Sequence, residues 1–320
     1  METRYHFNPV TQQSRQCEAT IKTCPFPHGS TPEEAIKEFE KSEQGHEIST
    51  ISKSSHHKKA KTPYDVIDST PLKKLDSTQL TQLVIRHAEK NGMEVDKVRS
   101  SIELASTLHA NQRRGNRGDL PKTMYIEHPL RNAARLTRMG VKQQDIIIAA
   151  VLHDVVEDGS KEFVEKYHGV RIKDELTARA VLSEHIEIEY GKNTREIVEN
   201  VTNDYIPREQ SINLSPEEKN KIYYDHVKKS VEGNPEVLLV KISDFIDNAT
   251  GLHHNDTPER KEKTIKQAKK YLPVARVFFN ELNRTDFNSY VDKKSIETMK
   301  DQMSLTEQRM KSLIGKYKKS

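Results

Sequence analysis

The sequence predicts an all-α fold, and three observations carry that expectation. Between residues 75 and 285, apolar residues recur at three- and four-residue steps, the period of a helix with one buried face. Few stretches alternate apolar and polar residues as half-buried strands do. Helix start signals stand where such helices need them, the clearest being Ser215-Pro216-Glu217-Glu218. Apolar residues make up 33% of the 320 and charged residues 31%, a poor apolar share for this length. A compact core is therefore expected only in the middle, with polar arms on both sides. Four regions result: an N-terminal module over 1–45, a linker over 46–76, a helical domain over 77–285 and a C-terminal helix over 286–320.

Residues 1–31 carry His6, Cys17, Cys24 and His28. Two thiols and two imidazoles are a donor set for tetrahedral Zn²⁺, but their spacing matches no zinc finger, and a small, weakly structured arm is the alternative. Two cysteines make no disulfide framework, so a reducing cytoplasm is the natural compartment. The N-terminus lacks an apolar signal stretch and no run approaches the ~18 apolar residues of a membrane span, so a soluble protein without membrane contact is expected. Thr31 and Pro32 are suited to start a short helix over 32–45. The following stretch, 46–63, is rich in Ser, Lys and His without periodicity and reads as linker.

From Ser77 helical stripes succeed one another. The first is Leu80, Leu83 and Val84; the second is Val98, Ile102, Ala105 and Leu108; the third is Leu130, Ala133, Ala134 and Leu136, with Pro129 in its first turn. A helix over Ile146–Val156 follows, then candidates at 160–168, 172–189, 193–202 (capped by Asn193 or Thr194) and 215–232. The run Val237–Val240 is partly β-branched. It continues without a turn signal into Lys241–Asn248 while Leu238, Ile242, Phe245 and Ile246 keep helical spacing, so it reads as helix. Residues 258–283 supply a further long helix. In the tail, Ile296, Met299, Met303, Thr306, Met310 and Leu313 form a heptad seam. That seam suits docking on the chain's own domain, a homodimer contact being the alternative.

The net charge of +4 does not argue for nucleic-acid binding, and no phosphate loop of the GxxxxGK[ST] type or GxGxxG turn occurs. Two local stretches, 111–122 and 258–270, are basic and suit either an anionic substrate or a solvated face. The chemistry concentrates elsewhere. Seven apolar residues, Ile146–Leu152, lead directly into His153-Asp154, and Glu157-Asp158 follow one helical turn later. On one continuous helix His153 lies beneath Glu157 and Asp154 beneath Asp158. Buried imidazole and carboxylate groups are normally paired or metal-bound, whereas a solvated helix end needs neither. Elsewhere, His128 in Tyr125-Ile-Glu-His-Pro129 and Asp244, one turn before Asn248, complete two imidazoles and two carboxylates. Such a mixed N/O set suits Mn²⁺ or Fe²⁺.

In order, Leu108-His-Ala-Asn-Gln-Arg-Arg114, Tyr125-Ile-Glu-His-Pro129, Leu152-His-Asp-Val-Val-Glu-Asp158 and Leu239-Val-Lys-Ile-Ser-Asp244 with Asn248 resemble the HD-domain hydrolase of the RelA/SpoT family, over residues 95–280. The resemblance implies a hydrolase-only, small alarmone hydrolase that removes pyrophosphate from the 3′ position of ppGpp and pppGpp. It implies Mn²⁺ on His128, His153, Asp154 and Asp244, and Glu157 and Asp158 positioning and deprotonating the attacking water. It also implies Arg114 on the guanine or phosphates and Asn248 on the ribose. Some small members act as antitoxins to an alarmone synthetase, which would make that toxin a functional partner.

The chain departs from the family at several places. The lysine after the arginine is Gly115, the glycine before the glutamine is Asn111, DRLHN becomes Asp244-Phe-Ile-Asp-Asn248, and the threonine after HDVVED is Gly159. Arg117 and Lys122, in the lengthened loop, stand as replacements for the missing lysine. Because that loop selects the substrate, two readings stay beside the first: the same chemistry on an adenosine alarmone or the 2′-phosphate of NADPH, and a non-catalytic binding module.

Overall fold

The computed structural model describes residues 5–8, 13–16, 28–29, 31, 33–34, 37–38, 63–114, 122–255, 257 and 259–318. The chain divides into two compact units, Met1–Val66 and Ile67–Ser320.

In the first unit, β1 (Tyr5–Asn8), β2 (Gln13–Gln16) and β3 (His28–Gly29) form an antiparallel sheet in the order β2-β1-β3. The all-α expectation concerned the domain from 75 on and holds there; the N-terminal module carries this sheet instead, since four-residue strands such as Gln13–Gln16 have no alternating apolar pattern to announce them. Its register sets His6 opposite His28. Cys17 and Cys24, the other half of the zinc expectation, lie outside the described residues. Thr31 Oγ1 accepts from the Glu34 amide at 3.1 Å, the cap expected there.

The second unit is helical. Its early helices are α1 (Pro63–Ser69), which crosses the boundary between the units, α2 (Ser77–Lys90) and α3 (Val95–Leu108). A two-residue ladder, β4 (Arg113–Arg114) with β5 (Thr123–Met124), interrupts them and pins the two ends of the basic loop. Next come α4 (Glu127–Arg138), α5 (Gln144–Leu152), α6 (Val155–Asp158), α7 (Ser160–His168), α8 (Glu175–Tyr190) and α9 (Lys192–Val201). The remainder are α10 (Arg208–Asn213), α11 (Pro216–Val231), α12 (Pro235–Ala249), α13 (Lys261–Arg284) and α14 (Lys293–Lys318).

Helix α5 is the axis of the core. Ile146 through Leu152 are all fully buried, and α3, α4, α9 and α12 pack around them. A helix apolar on every side must be enclosed in this way. Ser215 and Glu218 close a reciprocal capping box at the start of α11, as the sequence indicates. The tail seam is satisfied within the chain: Ile296, Met299, Met303, Thr306, Met310 and Leu313 are all buried, and α14 lies along α13.

Three boundaries differ from expectation. Residues 63–74, read as linker, hold α1 and a 3₁₀ turn over Leu72–Lys74. Arg138 donates to the Ile67 and Thr70 carbonyls at 2.9 and 2.7 Å, so the part from Ile67 on is tied to α4 by contacts no local pattern reveals. Helix α9 starts at Gly191 rather than at a side-chain cap, because Asn193 instead donates to Asp145 at 3.0 Å and Thr194 is buried, bonded to the Tyr190 carbonyl. Finally, the helix through 146–156 is not continuous: it stops at Leu152 and resumes as α6 at Val155. His153 Nδ1 donates to the Ala150 carbonyl at 2.9 Å, the oxygen that an unbroken helix would offer to the residue 154 amide. The turn survives through Asp158 N donating to Asp154 O at 2.9 Å.

A Cβ at Gly159 would stand 3.0 Å from both Leu108 Cβ and the Val155 carbonyl, so a side chain there would need α3 and α6 to give by a few tenths of an ångström.

Candidate active site

The break at His153-Asp154 turns both side chains away from the α5 axis and into a cavity of about 220 Å³. Helix α4 brings His128 from its first turn, and α12 brings Asp244 from its third. His128 Nε2 lies 3.0 Å from Asp244 Oδ1 and 3.6 Å from Asp154 Oδ2, while His153 Nε2 lies 3.1 Å from Asp154 Oδ2 and 3.6 Å from Asp244 Oδ1. Donor atoms of His128, His153 and Asp244 all lie within 4.8 Å of one another.

Both imidazoles are oriented by what holds their other nitrogen. His153 Nδ1 donates to a carbonyl, which can only accept, and His128 Nδ1 donates at 2.8 Å to the Asp247 carboxylate. Each ring therefore turns Nε2 toward the two carboxylates, the arrangement in which outer partners aim metal-ligating histidines. The field agrees. Although burial works against its charge, Asp154 and Asp244 push His153 well above the usual imidazole range. Despite burial, the two imidazoles hold Asp154 and Asp244 well below the usual carboxylate range. Two carboxylates between two imidazoles favour a cation at their centre, and two nitrogens with two oxygens fit a divalent metal ion.

Further lining residues come from α6 and the turn after α9. Glu157 Oε2 accepts from Asn203 twice, from Nδ2 at 2.8 Å and from the backbone amide at 3.3 Å, which fixes the carboxylate at the cavity wall. Asp158 stands at the rim, exposed. Partial desolvation beside the wall, together with the charges of Asp154 and Glu157, pushes its carboxyl up to about 6. Tyr125, in the turn that leads into α4, donates to Asp154 Oδ2 at 2.7 Å and braces that carboxylate.

Arg114 Nη2 donates to Asn248 Oδ1, and Asn248 Nδ2 donates to Asp244 Oδ1 at 2.7 Å, so the two residues expected on the nucleotide are linked to each other and to the acidic cluster. Lys122 is exposed and is not among the cavity-lining residues. Arg117 lies outside the described residues.

Sequence reasoning missed five groups. Asn203, Lys241, Lys270, Tyr223 and Tyr271 line the cavity although no role was expected of them; Lys241 stood inside the motif Leu239–Asp244 without one. Outside the cavity, Asp247 supports it. Its carboxylate, fully enclosed, accepts from His128 and takes Arg131 Nε at 3.0 Å, Arg135 Nη2 at 3.3 Å and Lys73 Nζ at 3.0 Å. The signal for it was present in Asp244-Phe-Ile-Asp-Asn248, where it stood only as a departure. Asp247→Asn keeps the shape but removes the charge from a buried cluster of three cations. We expect about 10- to 100-fold weaker divalent-metal binding by calorimetry, the usual cost of losing an outer partner of a ligating histidine. Unchanged affinity would show that His128 is held without it.

Comparison with known proteins matches residues 101–276 to the HD domain. The chain is 30% identical over 160 residues to guanosine-3′,5′-bis(diphosphate) 3′-pyrophosphohydrolase MESH1 of Xenopus tropicalis, covering 50% of this chain and 70% of that protein. It is 28% identical over 170 residues to the Homo sapiens protein of the same name, covering 52% and 75%. It is also 26% identical over 180 residues to the guanosine-3′,5′-bis(diphosphate) 3′-pyrophosphohydrolase of Aquifex aeolicus (strain VF5), covering 56% of this chain and 21% of that longer protein. The matched region contains every residue that lines the cavity, His153 and Asp154 included. This chain belongs to the HD-domain family.

Proposed function

We propose that this protein hydrolyses guanosine alarmones, converting ppGpp or pppGpp and water to GDP or GTP and pyrophosphate. The observation that carries the reading is the convergence of two aimed imidazoles, two carboxylates and a separately braced Glu157 in one cavity, in a chain similar to proteins named for this reaction. In the reaction the water oxygen bonds to the phosphorus next to the ribose, the bond from that phosphorus to the 3′ oxygen breaks, and the ribose oxygen takes up a proton.

His128, His153, Asp154 and Asp244 would hold one divalent ion, which we take to be Mn²⁺ from the mixed N/O donors. Such an ion, when bound, acidifies water and neutralises charge on phosphoryl oxygens. Glu157, oriented by Asn203, positions the attacking water through its free carboxylate oxygen. Asp158, with its raised proton affinity, takes the water's proton and is the group able to return it to the ribose oxygen. Asn248 faces the ribose and Arg114 the anionic or purine portion.

The purified full chain with Mn²⁺ is expected to release pyrophosphate from ppGpp and pppGpp in preference to ppApp, and to leave the NADPH 2′-phosphate untouched. No pyrophosphate from either guanosine alarmone, with metal bound, would end this reading. Preferential turnover of ppApp or NADPH would transfer the chemistry to that substrate.

A further inference from the structure

The cavity holds more positive charge than the family motifs provide. Arg114, Lys241 and Lys270 face Asp154, Glu157, Asp158 and Asp244 across it, so a divalent ion in the cluster would leave the walls with a positive surplus. Two of the three cations are occupied. Arg114 donates to Asn248, and Lys241, buried, donates to the Val201 carbonyl at 2.5 Å. Lys270 is different. It comes from the middle of α13, and its ammonium lies 3.9 Å from the centre of the Tyr223 ring and 5.5 Å from that of Tyr271.

The aromatic faces attract the charge but accept none of its three protons in an ordinary hydrogen bond. The Lys270 ammonium forms neither a hydrogen bond nor an ion pair with any described residue. Tyr271 packs edge-on against both Tyr223 and Phe245, which fixes the platform under the ammonium. Burial lowers its proton affinity while Glu157 and Asp244 support the charged form, which places Lys270 in the field of the reacting end of the cavity. A cation held by rings, with its donors unspent and water-handling and ligand carboxylates nearby, suits an oxyanion that arrives with the substrate.

We propose that Lys270 is a substrate-binding residue whose ammonium takes the pyrophosphoryl group being removed. The assignment of that group to the 3′ position rests on the alarmone reading; the affinity for a diphosphate does not.

The experiment uses the full chain loaded with Mn²⁺ and compares wild type, Lys270→Met and Lys270→Arg. Inorganic pyrophosphate and GDP are titrated calorimetrically, Mn²⁺ binding is measured separately, and KM for ppGpp is recorded. Lys270→Met should weaken pyrophosphate binding about ten- to hundredfold, the worth of a charge-assisted hydrogen bond. It should raise KM for ppGpp in parallel and leave Mn²⁺ and GDP binding unchanged, and Lys270→Arg should recover most of the loss. Unchanged pyrophosphate affinity overturns the proposal, as does a loss that follows weakened Mn²⁺ binding or falls on GDP alone. If wild type turns over no alarmone yet Lys270→Met loses pyrophosphate, the diphosphate site stands and the alarmone reading fails.

Discussion

Asp154→Ala is expected to abolish both metal binding and turnover while leaving the helical fold in place. Asp154 sits at the break between α5 and α6 and its carboxylate points into the cavity, so no core contact is lost with it. What is lost is one of two carboxylates between His128 and His153, together with the Tyr125 hydrogen bond. With a single carboxylate left, the field that favours a cation at the centre is roughly halved. An ion that stabilises phosphoryl-transfer charge contributes several kcal/mol, and each ~1.4 kcal/mol is tenfold in rate, so the loss of turnover should reach about a thousandfold or more. Metal content of the purified variant, circular dichroism and the pyrophosphate assay check the three parts. An Asp154→Ala protein that binds Mn²⁺ with wild-type affinity would remove Asp154 from the ligand set, whatever its activity. Tyr125→Phe serves as the control for the lost hydrogen bond, and it should retain the metal.

Much of this site was readable because its residues sit where helical patterning makes them conspicuous. The unbroken apolar run Ile146–Leu152 announces a buried helix, and ionisable groups at its end require partners. The heptad seam of the tail was equally plain, since Met299, Met303 and Met310 had to be covered by something. The remainder depended on contacts between distant elements. Asp247 reads as an ordinary helix residue until α4 supplies Arg131 and Arg135 and the 3₁₀ turn supplies Lys73. Lys270 reads as one of many lysines on a basic helix until α11 brings Tyr223 beneath it. The break after Leu152 was invisible because helix propensity and periodicity continue straight through it; it takes the His153 ring on the Ala150 carbonyl to end the helix.

On the proposed mechanism the two acids of α6 separate by role, and their variants should separate by phenotype. Glu157→Gln keeps an oxygen able to accept from Asn203 but loses the carboxylate charge facing the water. Turnover should fall about 10²- to 10⁴-fold, the range for a positioned acid-base group, with Mn²⁺ affinity unchanged. Loss of the metal in this variant would make Glu157 a ligand instead. Asp158 carries the pH dependence. Its carboxyl, raised to about 6 without metal, titrates lower once a divalent ion offsets the Asp154 charge, and wild-type turnover should decline as pH falls through that titration, because the base becomes protonated. Asp158→Asn should turn over slowly at every pH and show no such limb. The same shift has a consequence for stability. A carboxyl raised from its ordinary 3.8 opposes folding above about 6, and that opposition vanishes below 3.8, where both states are protonated. Metal-free Asp158→Asn should therefore melt slightly higher than wild type at pH 7.5 and at the same temperature at pH 3. The gain is small because the side chain stands open to solvent at the rim. An acid limb that persists in Asp158→Asn would pass the proton to Glu157 and leave Asp158 as a bystander at the mouth of the cavity.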